Sequence, residues 1–246
     1  MPRSPRPATG GIVSHVLNRA NARSRLFEQP ADYELFERTL EQARRRTSMR
    51  ILSYCVMPNH WHMVLWPRAD GDLIEFMRWL TLTHTQRWHA VRGSAGTGHV
   101  YQGRYKSFPV QARRVSRVER AQGVVDKGSS LWTVLRYVER NAVRAGLVRR
   151  AEDWQWCSLW RRTAGNADQR SLLTDPPAGW PEDWAEWVNQ PQTPEEHEAL
   201  ALCIARGRPF GSPDWVARVA GWLGLQLTLR PRGRPKKTTK KTEKGS

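Results

Sequence analysis

The sequence predicts an α+β fold: a ferredoxin-like antiparallel sheet with flanking helices, followed by a small C-terminal helical unit and a disordered basic tail. Three observations lead there. Over residues 11–145 the apolar spacing changes between period 2 and period 3.6 in the order β-α-β-β-α-β and then α. Residues 166–200 hold eight Asp/Glu against one Arg and are broken by Pro176, Pro177, Pro181, Pro191 and Pro194, as expected of a connector. Residues 230–246 hold eight Lys/Arg against one Glu and almost no apolar side chain, so they cannot bury a core.

Each element has its own signal. Residues 11–18 (GIVSHVLN) form a short strand candidate, and Asp32 is placed to cap a helix carrying Tyr33, Phe36, Leu40 and Ala43 at helical spacing. Residues 50–57 (RILSYCVM) read as a strand, Pro58-Asn59 break it, and residues 60–66 (HWHMVLW) resume as another. Asp72, with Glu75 three positions on, resembles a capping box before Leu73, Phe76, Met77 and Leu80. Residues 106–111 (KSFPVQ) fit only an edge strand, because Pro109 lacks a ladder donor. Ser130 opens a helix expected to run to about Ala145, with Gly146 as its stop. Beyond the connector, whose Trp180, Trp184 and Trp187 are expected to dock on a neighbouring domain, residues 194–206 and 213–222 read as two helices across a turn. The second begins at Ser212-Pro213 and shows Trp215, Val219 and Trp222 on one face, an arrangement compatible with a helix-turn-helix.

Composition removes whole classes of function. The 246 residues include 13 Trp and 39% hydrophobic side chains, too many for a wholly disordered chain. No run approaches the roughly 20 apolar residues of a membrane span, and MPRSPRPATG has no apolar stretch behind it to act as a secretory signal. Cys55, Cys157 and Cys203 are odd in number and lack CxxC spacing, which excludes a disulfide framework or a zinc knuckle. Forty Lys/Arg against 23 Asp/Glu give a formal charge of +17, so the expected partner is a polyanion, nucleic acid first, and the expected location is cytoplasmic and nucleoid-associated.

Two constellations carry chemistry. On a strand, His60 and His62 project from one face while Trp61 enters the other, so the pair can chelate a divalent ion; a surface pair of histidines is the plain alternative. On the helix after the sheet, Tyr137 and Asn141 are neighbours one turn apart, between the apolar stripe of Leu131, Val134, Leu135, Val138 and Ala142 and a basic face of Arg136, Arg140 and Arg144. A phenol near pKa 10 attacks a phosphodiester only with a metal to withdraw charge, and the Asn141 carbonyl can join His60 and His62 around one. The alternative is a boundary tyrosine beside an ordinary asparagine. Arg104 and Lys106, between Tyr101 and Tyr105, suit single-stranded nucleic acid through stacking and phosphate contact. Tyr101 and Tyr105 are weaker nucleophile candidates, having no carboxamide a turn away. His15, His84, His89 and His99 read as surface or core-edge histidines, and Arg19 as a possible DNA contact.

MPNHWHMVLW, GHVYQGRYKSFPV and LRYVERNAVRAGLV, in that order, resemble the HUH single-tyrosine transposases, in particular the REP-associated group, over residues 11–160. The resemblance implies the HUH transposase fold, with Tyr137 as nucleophile and His60, His62 and Asn141 as ligands of one Mg or Mn ion. It implies cleavage and rejoining of single-stranded hairpin or repeat DNA through a 5′-phosphotyrosine intermediate that leaves a free 3′-OH. The family's Asn-Pro-Val is Asn141-Ala142-Val143 here. The expected organisation is a catalytic domain at 1–165, an acidic connector at 166–193, a helical DNA-binding unit at 194–229 and a basic tail at 230–246. Pro231-Arg232-Gly233-Arg234-Pro235 resembles an AT-hook, whose arginines would enter the minor groove of duplex DNA. Expected DNA contacts are therefore Arg104, Lys106, Arg140, Arg144, Arg232 and Arg234. A domesticated, non-catalytic DNA-binding protein is the alternative of a different class, and a zinc hydrolase lacks an obvious general base.

Overall fold

A computed structural model describes residues 9–112, 128–176 and 179–230. Its first part follows the expected order: β1 (Ser14–Arg19), α1 (Pro30–Thr47), β2 (Arg50–Met57), β3 (His60–Trp66), α2 (Asp72–Arg92) and β4 (Lys106–Pro109). The strands form one sheet in the order β2-β3-β1-β4, with every neighbouring pair antiparallel. That is the ferredoxin-like arrangement. Met57 pairs with His60, so Pro58-Asn59 form a two-residue hairpin loop. β4 is an edge strand, the position its proline requires.

Helix starts differ from expectation for one shared reason: a carboxylate can serve orphan amides from inside the helix. α1 begins at Pro30, whose missing N–H and fixed φ suit the first position. Asp32 is not the N-cap; its Oδ2 accepts from the backbone N–H of Glu28 at 2.9 Å and of Gln29 at 3.2 Å. Asp72 makes no capping box with Glu75. The cap is Gly71, at φ 87°, and Asp72 Oδ2 accepts from Arg68 N and Ala69 N at 3.0 and 2.8 Å.

Period-2 alternation sorts the sheet into two faces. Val16, Trp61, Met63, Leu65, Tyr54 and Val56 meet Phe36, Leu40, Phe76 and Leu80 of α1 and α2. Val64, Phe108, Leu52, Cys55 and Met57 face the other way, against α3 (Ser130–Glu139), which supplies Leu131, Val134, Leu135 and Val138. The single helix expected over 130–145 is interrupted at Arg140, and α4 (Asn141–Arg144) continues it. Backbone bonds still run from Arg140 N to Arg136 O and from Arg144 N to Arg140 O, and Gly146 at φ 68° ends the segment.

Glu139 locks α3 in place. It is completely buried, accepts from Ser158 Oγ of α5 (Ser158–Thr163) at 2.5 Å and from Trp184 Nε1 at 2.7 Å, and pairs with Arg162. α6 (Ala167–Ser171) follows, and Trp184 opens α7 (Trp184–Asn189), which stacks with Trp180 on Trp132 of α3. α8 (Pro194–Arg206) and α9 (Pro213–Trp222) match the expected spans. The buried face of α9 is Val216, Val219 and Ala220; Trp222 is 66% exposed, so the expected tryptophan stripe is not the packing face. Between these helices, Phe210 N donates to Pro109 O at 2.8 Å and Phe210 O accepts from Gln111 N at 2.9 Å, extending the β4 edge.

His84 is a core residue, a correction to its reading as a surface or core-edge side chain. Trp61 Nε1 donates to Tyr101 Oη at 3.2 Å, and Tyr101 Oη is hydrogen-bonded to His84 Nδ1 at 2.8 Å. Burial pushes the His84 pKa down to about 3.

Two predictions follow from this packing. Glu139→Ala strands the Arg162 charge and should cost about 3–5 kcal/mol in urea unfolding, with Glu139→Gln costing less. The unfolded His84 titrates near 6.5 and the folded one near 3, so its stabilising effect is complete above about pH 7 and is lost as pH falls through that window. His84→Gln should therefore flatten the loss of stability between pH 7.5 and 5 by about 2 kcal/mol.

Candidate active site

The β1–β3 register builds the floor of the site. His15 lies opposite Val64, Leu17 opposite His62 and Arg19 opposite His60, so these six side chains share one face. As the strand reading requires, His60 and His62 project together, their ring centroids 5.1 Å apart, while Trp61 is buried on the opposite face. Asn59 Oδ1 accepts from His60 Nδ1 at 2.6 Å, which leaves Nε2 of that ring as the bare nitrogen. His62 Nδ1 lies 2.9 Å from Nε2 of His15.

α3 brings Tyr137 down onto these rings. Its centroid is 5.7 Å from that of His62 and 6.2 Å from that of His15, and the side chain is largely buried. The Arg144 guanidinium covers the phenol face, with Cζ 4.3 Å from the ring centroid. Asn141 donates through Nδ2 to the carbonyls of Tyr137 and Val138, both at 3.1 Å, which turns Oδ1 outward, where Arg144 Nη2 donates to it. Tyr137, Asn141, His60 and His62 thus meet in one region, with Arg144 linking the helix pair to the strand pair.

Burial, first, and then the neighbouring arginine charges push the His60 pKa down to about 4. Burial likewise holds His62 well below the ordinary range, helped by His15, His60, Arg144 and Arg19. Both imidazoles are neutral at pH 7, the form that ligates a metal. Two neutral nitrogens and a carbonyl oxygen suit a divalent ion whose remaining positions go to substrate oxygens. The Asn141 oxygen already accepts from a cationic group, the Arg144 guanidinium. The residues fit the group. Among the described residues, no group of three or more His, Cys, Asp or Glu is placed to hold a metal ion.

Cations line the approach. Arg19, Arg104 and Lys106 border a cavity of about 390 Å³ with Leu17, Asn18 and Ile204 of α8. Of its lining residues, Arg19 lies opposite His60 and Leu17 opposite His62 in the β1–β3 register. Arg140 is half-buried between Arg136 and Arg144. Arg136 does not belong to a solvated basic face: it is buried and bonds Glu196 of α8 at 2.5 Å. Arg232 and Arg234 lie outside the described residues. Tyr101 is bonded to Trp61 on the far face, and Tyr105 packs in that same far cluster, so both lie on the face of the sheet opposite His60 and His62.

Two residues at the site were missed or misread from sequence. His15 is wholly buried against His62 and Phe108, where the sequence reading placed it at a surface or core edge. The signal was available: His15, Leu17 and Arg19 share a face by period 2, and a ferredoxin-like order sets β1 beside β3. His197 of α8 has its ring centroid 6.2 Å from that of Tyr137, and nothing in its local sequence announces that contact.

No helix among the described residues is long and apolar enough to cross a membrane. No curated protein matches the sequence. Among solved structures, a REP-associated tyrosine transposase bound to a REP hairpin is 19% identical, with a TM-score of 0.47, over 78% of this chain and 99% of that one. A chain from Deinococcus radiodurans R1 solved as a candidate transposase is 15% identical, with a TM-score of 0.34, over 49% of this chain and 92% of that one. Residues 9–120 match the family model described as "Transposase IS200 like", a segment that includes His15, His60, His62, Arg104 and Lys106 and ends before α3. That segment of the chain is similar to the IS200-like transposases.

Proposed function

We propose that this protein is a transposase that cleaves and rejoins single-stranded hairpin or repeat DNA with Tyr137 as its nucleophile. One observation carries the reading: of the tyrosines weighed from sequence, Tyr137 alone lies on the face where His60 and His62 project, with its ring against His62 and under Arg144. The Tyr137 oxygen forms a bond to phosphorus as the bond from phosphorus to the 3′ oxygen breaks. The phenol loses its proton, the 3′ oxygen gains one, and the DNA remains joined through a 5′-phosphotyrosine. Rejoining is the reverse attack by a 3′-OH, and it needs no nucleotide cofactor because the phosphodiester energy is kept in that link.

His60, His62 and Asn141 would hold the divalent ion, Mg or Mn. Bound there, it would withdraw charge from the phosphoryl oxygens and stabilise the developing phenolate. Arg144, over the phenol ring, places positive charge where the phenolate and phosphate meet. Arg19, Arg104 and Lys106 would receive the flanking phosphates in the cavity they line, with Arg140 contributing from the helix side. The basic tail, with Arg232 and Arg234, would add duplex contacts.

The test is covalent capture. Wild type should form a denaturation-resistant adduct on the 5′ side of the nick in a single-stranded hairpin substrate, with a free 3′-OH on the other end. Tyr137→Phe should bind the hairpin as wild type does and form no adduct. Cutting without any adduct would instead mean attack by water, and no cutting at all would leave a DNA-binding protein that has kept the fold. A second measurement addresses the metal ligands. His60→Ala with His62→Ala should abolish Mg- or Mn-dependent nicking and leave hairpin binding largely intact, since the phosphate-contacting arginines and lysine are unchanged.

A further inference from the structure

We infer that His15 is a positioning residue: through one ring-to-ring hydrogen bond it holds His62 Nδ1, so that Nε2 is the His62 nitrogen that would face the metal. This rests on the reading of His62 as a ligand. Each histidine of the pair has its Nδ1 occupied. His60 Nδ1 meets Asn59 Oδ1 at 2.6 Å, and an amide oxygen can only accept, so that ring keeps its proton on Nδ1 and presents Nε2. His62 Nδ1 meets His15 Nε2 at 2.9 Å, and here either nitrogen can be the donor.

The two arrangements differ only in where protons sit. When His15 carries its proton on Nδ1, its Nε2 accepts from His62 Nδ1–H, and His62 Nε2 is a bare lone pair ready for a metal. When His15 carries its proton on Nε2, it donates to His62 Nδ1, and the His62 proton moves to Nε2 and blocks that lone pair. Each ring holds one proton in both cases, so no charge changes. His15 Nδ1 is buried and has no hydrogen-bond partner among the described residues, so no other group dictates its tautomer. The ring is fixed instead by packing, with Phe108 of β4 tilted against it at 4.8 Å and Tyr137 of α3 edge-on at 6.2 Å. His15 is therefore held rigidly as a ring and left free as a tautomer, which lets it follow His62 when a metal binds. Ligand histidines ordinarily donate their second nitrogen to a carboxylate or carbonyl, and a neutral imidazole takes that place here.

The experiment measures metal binding without DNA or turnover. Mn2+ would be titrated into the full chain and followed by the loss of the free-ion electron paramagnetic resonance signal. His15→Leu removes the acceptor, and His15→Gln restores a carbonyl oxygen near the position of Nε2. Mn2+ affinity should fall about 10–100-fold in His15→Leu and recover most of that loss in His15→Gln, the scale usual for outer partners of metal ligands. Thermal melting of each variant reports whether the fold survives. His15→Leu binding Mn2+ as wild type does, while His62→Ala binds none, would overturn the role of His15 and leave the metal site standing. Unchanged Mn2+ binding in His62→Ala would remove the metal site and the His15 role with it. Should His15→Leu fail to fold, long-range proton–nitrogen NMR on wild type decides. With Mg2+ bound, His62 should be protonated at Nδ1 and His15 at Nδ1; protonation of His62 at Nε2 would overturn the inference.

Discussion

The pairing of β1 with β3 is the constraint on which the rest depends. Side-chain direction alternates at every residue, so a slip of one position would carry His15, His60 and His62 from the α3 face to the α1/α2 face. Two apolar sets oppose that slip together. Val16 on β1 and Trp61, Met63 and Leu65 on β3 belong to the core beneath α1 and α2, and all would be displaced at once. The histidines hold their places because their neighbours are committed to the opposite face. The Trp61–Tyr101–His84 chain adds polar specificity to the same register, since Trp61 finds its acceptor only on that side.

The site is polar ground kept uncharged on its floor and cationic at its rim. Desolvation by the surrounding core keeps His15, His60 and His62 neutral, and the arginines nearby reinforce the effect on His60 and His62. Acidic side chains are drawn into structural work. Glu139 pairs with Arg162, Glu196 with Arg136 and Glu37 with Arg161. Each of these pairs fastens helices to one another or to the sheet, and each uses an arginine that the +17 sequence charge alone would assign to a nucleic-acid surface. The cations lining the cavity, Arg19, Arg104 and Lys106, are a smaller, located subset of that charge.

Much of this was legible in the sequence where the signal is local. β2 and β3 have the expected bounds because period-2 runs flank a two-residue turn, and α8 has them because Thr193, Pro194 and Glu196 form a full N-terminal signal. The common face of His60 and His62, and the adjacency of Tyr137 and Asn141, follow from strand and helix periods alone. Other features depend on tertiary neighbours that no local pattern specifies. His15 is a lone histidine until β1 is known to lie against β3. Arg136 looks solvated until α8 returns across α3 with Glu196. α9 packs through Val216 and Ala220, although its tryptophans advertise another face, because a helix of three turns can satisfy its core contact with small side chains.

The return of α8 bears directly on how DNA could reach the phenol. Ile204 walls the basic cavity, His197 closes on the Tyr137 ring, and the Phe210 backbone extends the β4 edge, so the segment after the connector packs against the face that carries Tyr137. Tyr137 is 8% exposed in this arrangement. Its neighbours differ in how readily they yield. His15 and His62 are fixed in the sheet, and the Glu196–Arg136 pair pins α8. Arg144 is different: it is exposed, and its guanidinium lies over the phenol and at the Asn141 oxygen. Those are the two places a phosphate and its metal would occupy in the proposed reaction. Displacing one surface arginine is a smaller change than parting a helix from the sheet. By that comparison, in the proposed reaction a scissile phosphate would meet the Arg144 guanidinium before it met the tyrosine, and Arg144 would shift from the ring and the Asn141 oxygen onto that phosphate.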